Sequence, residues 1–145
     1  MKTLGIEVTK TNAFDRKISQ NYYYINCTGD IEAFKDTGFS MDKKLYNAAN
    51  YCTEKALMEQ RALHETLNRL LWRFSLEHDG DKIDWNDSNT HKHHILYNHS
   101  DKKFVTEWKY VCNPGSVCFH TYEIAQQAIE KVIKPFIAEH PDFRW

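Results

Sequence analysis

Tyr22-Tyr23-Tyr24-Ile25-Asn26-Cys27-Thr28-Gly29-Asp30, followed by Ile31-Glu32-Ala33-Phe34, decides how this chain is read. An aromatic and β-branched run, a Thr-Gly-Asp turn signal and a second short run predict a β-hairpin. Lys35 to Lys44, with Gly38, reads as a polar connector. Asn50-Tyr51-Cys52-Thr53-Glu54-Lys55-Ala56 then runs into a long helical pattern. The same order recurs downstream. His94-Ile95-Leu96-Tyr97 meets the turn Asn98-His99-Ser100-Asp101, and Val117-Cys118-Phe119-His120-Thr121-Tyr122-Glu123-Ile124-Ala125 opens a second amphipathic helix. One hairpin with one helix leaves a sheet face uncovered, so two tandem units are expected to pack together. The expected class is α+β, with an antiparallel sheet against one long and one shorter helix. Residues 1–80 form the N-terminal hairpin and long-helix unit; residues 81–145 form a three-strand and helix unit, both in one globular domain.

Working outward, Leu4-Gly5-Ile6-Glu7-Val8-Thr9 alternates as a half-buried strand does, and Lys10 to Gln20 reads as a loop. In the long helix, Ala56, Leu63, Leu67, Leu70 and Phe74 fall on one stripe, without Gly or Pro. Gly80 is the expected left-handed stop. From Thr53 to His78 the helix would measure about 39 Å. That is long for so small a chain: it either lies diagonally across the sheet or projects and self-associates as a homodimer. Residues 93–97 and 103–112 form the second hairpin, Val117 to His120 a third strand, and Thr121 caps the last helix. Pro135 is expected to end or kink that helix.

Lys and Arg number 19 against 20 Asp and Glu, and the net charge of −1 argues against a general polyanion binder. No stretch approaches the roughly 20 apolar residues that span a bilayer, and the first residues lack an apolar leader core. A cytoplasmic chain is therefore expected, with Cys27, Cys52, Cys112 and Cys118 as reduced, mostly buried thiols.

His91, His93, His94 and His99 invite a metal reading, which would need Asp87 or Asp101 to complete the shell. No Cys lies close in sequence, so the cluster reads as a solvated hairpin, with no metal or cofactor. His64, Glu65 and Asn68 share a helix flank but read as solvated. Cys118 and His120 offer poor attack geometry, and five glycines build no phosphate loop. The chain is not expected to be an enzyme. Aromatics carry the binding signal instead. Three consecutive tyrosines force at least one ring off the core, so Tyr22 and Tyr24 are candidates. Trp85 in its polar loop, His91 and His93 on the hairpin, and neighbouring Lys102, Lys103 and Lys109 complete the expected interaction surface. Such rings could stack nucleobases or anchor a protein interface, and the neutral charge suits the second better.

Asp84-Trp85, His94-Ile95-Leu96-Tyr97, Val117-Cys118-Phe119-His120-Thr121, Glu123-Ile124-Ala125-Gln126-Gln127-Ala128-Ile129 and the ending His140-Pro141-Asp142-Phe143-Arg144-Trp145 form a recognisable series. It resembles a domain of small proteins from phages and prophages of Firmicutes, and Tyr22 to Glu54 is similar to the module that often precedes it. The resemblance covers about four-fifths of the chain, through structural motifs. It implies a mobile-element origin and a non-enzymatic protein that blocks a host defence complex, of the anti-CRISPR type, by occupying it. The implied partner is a host defence protein or ribonucleoprotein. The alternatives are an accessory protein binding single-stranded nucleic acid and a dimeric sponge for a nucleotide signal.

Overall fold

A computed structural model describes residues 12–145, so the strand expected at residues 4–9 lies outside the described residues. The protein is α+β, with two two-stranded antiparallel sheets and a set of helices. It divides into two compact units between Ala62 and Leu63, inside the long helix and not at its end near residue 80. The physical reason is burial. Leu67 and Phe74, on the later turns of that helix, sit in the core of the second unit.

In the first unit, β1 (Asn21–Ile25) pairs with β2 (Ile31–Lys35), with Tyr22 opposite Phe34 and Tyr24 opposite Glu32. Asn26 builds the turn: its Oδ1 accepts from the backbone N–H groups of Thr28 and Asp30. The connector read as polar contains a helix, α1 (Ser40–Asn47). Its only buried residue is Asp42, so there is no apolar stripe to reveal it. What holds its start is the Asp42 carboxylate, which accepts from the backbone N–H of Phe39 and of Thr37. Among the described residues of this unit, the largest buried side chains are two stacked rings, Tyr22 and Tyr51, 4.1 Å apart at 17°.

The long helix, α2, spans Lys55–Glu77. Met58 and Ala62 are buried near its start, whereas Ala56, expected on the buried stripe, is exposed. The stop also differs from expectation. Asp79 takes the left-handed conformation (φ 64°), and a single 3-10 turn follows at Gly80–Lys82. Gly80 is buried and required for closeness: a Cβ there would lie 2.5 Å from the Ser75 carbonyl oxygen.

In the second unit, β3 (Lys92–Asn98) pairs with β4 (Lys103–Lys109), and His93 faces Trp108 while Ile95 faces Thr106. Val117 to His120 does not form the expected third strand. It contributes one bridge, Phe119 with His93, two residues before Thr121 caps the next helix. Thr121 caps α3 (Tyr122–Ala128) as expected, its Oγ1 accepting from the Ile124 N–H at 3.2 Å. A π turn (Ile129–Ile133) and α4 (Lys134–Glu139) continue it. Pro135 therefore does not end the helix. The backbone stays helical through Ile133 and Lys134, and the missing N–H falls where the widened turn passes into α4. Leu67, Ile129, Ile133, Phe136 and Phe143 form the principal core, with Ile95 and Phe104 of the hairpin packed against it.

Candidate functional site

The hairpin of the second unit carries an aromatic row along one face. In the β3–β4 register, Tyr97 opposes Phe104, Ile95 opposes Thr106 and His93 opposes Trp108. At the inner end the row is covered. Phe104 joins the core, Gln126 donates to the Thr106 hydroxyl at 3.0 Å, and the terminal Trp145 stacks on Tyr97. At the outer end the rings are exposed. There His91 stacks on Trp108 with centroids 4.0 Å apart at 18°, and Tyr110 meets Trp108 edge-on at 5.3 Å. The Tyr110 hydroxyl lies 3.4 Å from His91 Nε2. Trp108 is half exposed, at 50%. A pre-stacked set of three rings loses little freedom on contact, which suits an interface anchor.

Trp85 is exposed at 59%, and the Lys92 ammonium lies 5.8 Å from its ring centroid. Lys92 is itself buried, donating to the backbone carbonyls of Asp87 and Thr90. Asp87 holds the loop by accepting from Thr90, and that bond keeps its carboxyl below the usual range. Lys109 pairs with Glu107 at 3.4 Å, and Lys102 and Lys103 lie exposed at the hairpin turn, away from the aromatic end. The second unit carries ten Lys and Arg against twelve Asp and Glu, a net −2, so no cationic field backs the rings.

The expected surface is thus only partly assembled. Trp85, His91 and His93 belong to one end of the hairpin. Tyr22 and Tyr24 belong to the other unit, and Tyr22 is core, at 1% exposure, because its ring stacks on Tyr51 and its hydroxyl donates to Asp42 at 2.7 Å. Burial, and then that bond, push its phenol up. Tyr24 is half-buried and donates to Glu32 across the hairpin. Trp108 and Tyr110, the largest rings of the exposed set, were expected only as part of the second hairpin; that they are left exposed is a tertiary fact.

The structure also gathers a group that sequence reading kept apart. The bridge between His93 and Phe119 places Cys118 directly opposite His94 on the facing side, and the turn after Cys112 returns the chain beside it. Cys112 Sγ and Cys118 Sγ are 2.8 Å apart, and each lies 3.8 Å from His94 Nε2. His94 and Cys118 are buried and Cys112 is half-buried. Burial lowers the His94 pKa, keeping the imidazole neutral, and burial pushes the Cys118 thiol up to about 12. Burial likewise lowers His93, with His91 adding to the effect. The signal in sequence was two cysteines flanking Asn113-Pro114-Gly115-Ser116, a turn that brings its ends together. The other two thiols are Cys27, exposed, and Cys52, buried.

These features define an α+β protein with an exposed, preorganised aromatic cluster on its second unit. No family model, no curated protein and no solved structure matches the chain. Among the described residues, no helix is long and apolar enough to cross a membrane.

Proposed function

We propose that this chain is a non-enzymatic binding protein that docks a protein partner through the aromatic end of its second hairpin. In the specific form suggested by the phage-protein resemblance, the partner is a host defence complex, a CRISPR effector or its ribonucleoprotein, blocked by steric occupation in the host cytoplasm. The observation that carries the reading is the exposed stack of His91, Trp108 and Tyr110, in a unit whose charges nearly cancel. Large rings gathered on a surface without a basic field favour a protein interface over a phosphate backbone.

The test is a tagged pull-down from a lysate with an active CRISPR system, after nuclease treatment, with wild type and Trp108→Ala compared. Stoichiometric capture of an effector subunit by the wild type, lost in Trp108→Ala, is the expected result. Capture that nuclease or moderate salt abolishes would replace this reading with single-stranded nucleic-acid binding. A small nucleotide retained through purification would replace it with signal sequestration.

A further inference from the structure

We infer that His94, Cys112 and Cys118 form a site for one zinc-class divalent cation, with the fourth position left to water. The donors come from three places: β3, the end of the segment after β4, and the return segment bridged to β3. All three ligand atoms lie within 4.8 Å of one another. A tetrahedral zinc with bonds of about 2.0–2.3 Å has ligand-to-ligand edges of about 3.4–3.8 Å. Both sulfur-to-Nε2 separations, 3.8 Å, lie within about 0.3 Å of the edge between a bound sulfur and a bound nitrogen. Only the sulfur-to-sulfur edge, 2.8 Å, is closer than two bound thiolates would sit and must open by about 1 Å. Cys112 is the half-exposed member, so its side chain is the one free to turn.

The surroundings hold the other two in place. Ser75 donates to the Cys118 carbonyl at 2.6 Å, and the Phe119 N–H donates to the His93 carbonyl at 2.8 Å. A disulfide would use the two sulfurs alone and give His94 no role. A buried imidazole with Nε2 3.8 Å from both sulfurs, and Nδ1 3.8 Å from that of Cys118, places a nitrogen donor beside the pair. Two thiolates and one neutral imidazole select zinc or cobalt over magnesium or calcium, whose preferred donors are oxygens. Binding releases the two thiol protons to solvent and leaves two thiolates, neutralising the dication within the buried site. The ion would staple the 113–116 turn and the return segment to the hairpin.

The full chain, purified under reductant without chelator, is titrated with cobalt(II) and assayed for zinc by elemental mass spectrometry. The expected result is one ion per chain, a thiolate-to-cobalt absorption band, and two protons released per ion. Cys112→Ser should lose the band and weaken binding by more than about 100-fold, with its tryptophan emission still native. Cys27→Ser, at an exposed thiol of the other unit, should bind as wild type does. A folded wild type that takes up no cobalt would overturn the assignment. So would Cys112→Ser that binds normally, or isolation of a Cys112–Cys118 disulfide from protein kept under reductant.

Discussion

Gly80→Ala tests the packing that closes the long helix onto the return segment. A Cβ at Gly80 would sit 2.5 Å from the Ser75 carbonyl oxygen and 2.5 Å from Ser75 Oγ, distances at which something must move. The carbonyl is backbone near the end of α2, and Ser75 Oγ is committed to the Cys118 carbonyl at 2.6 Å. Relief therefore strains backbone, at about 1–3 kcal/mol, and loosens a buried hydrogen bond, at about 1 kcal/mol. The expected loss is about 2–4 kcal/mol. For a unit the size of residues 63–145, that lowers the melting temperature by roughly 10–25 °C. Gly115→Ala is the comparator. Gly115 has φ +75° but nothing within 4 Å of the added Cβ, so it pays conformational strain alone, about 1 kcal/mol. Trp72, Trp85, Trp108 and Trp145 are the four tryptophans, and all belong to the second unit. Thermal unfolding followed by tryptophan emission thus reads that unit directly. If Gly80→Ala melts with or above Gly115→Ala, the close approach is not a constraint and the account of the helix end is wrong.

Other expectations follow from the two cores. Leu67→Ala removes a fully buried side chain from the Ile129, Ile133 and Phe136 cluster and should cost about 2–5 kcal/mol, read by tryptophan-detected urea unfolding; a cost under about 1 kcal/mol would show that Leu67 is not core. The first unit should be stable only within a pH window. Arg16 holds the Asp36 carboxyl down through a paired hydrogen bond, and Tyr22 holds Asp42 down, so both contribute stability above the unfolded value near pH 4 that is lost as pH falls through their lower folded values. Burial raises Tyr22 and pushes Tyr51 to about 12, so their contribution is complete below about pH 10 and is lost as pH rises through the folded values. Amide exchange of β1 and β2 against pH checks both edges, and protection unchanged down to about pH 2 would refute the acid edge. Self-association through α2 would use Trp72 and Leu76, exposed one turn apart; sedimentation should then show a dimer that Trp72→Lys converts to monomer, and a wild-type monomer would remove the idea.

What was legible in the sequence was local. The tyrosine run with Thr28-Gly29-Asp30 gave the first hairpin because its turn chemistry, centred on Asn26, is contained within five residues. The Leu63–Leu67–Leu70–Phe74 stripe gave the helix because periodicity survives without knowing what it packs on. Helix α1 was missed because a buried carboxylate, rather than an apolar face, docks it. Asp42 looks like a surface residue until Tyr22 and Thr37 arrive from elsewhere to satisfy it.

The site divides along the same line. Trp85 and the histidines were visible as residue types, but which rings stay exposed depends on tertiary packing, and no window of sequence carries that. Tyr22 shows the converse. In a run of three tyrosines the alternation says that some ring must turn away, and only Tyr51, 29 positions later, decides that Tyr22 turns inward. His94 and Cys118 lie 24 positions apart and become opposite neighbours through a single bridge. Cys112 joins them because Asn113–Ser116 reverses the chain. A metal pattern with adjacent ligands can be read by spacing; one assembled by a bridge and a turn can be read only once both are paired. The same bridge that is too short to count as a strand is therefore what helps bring together the set of donor atoms found among the described residues.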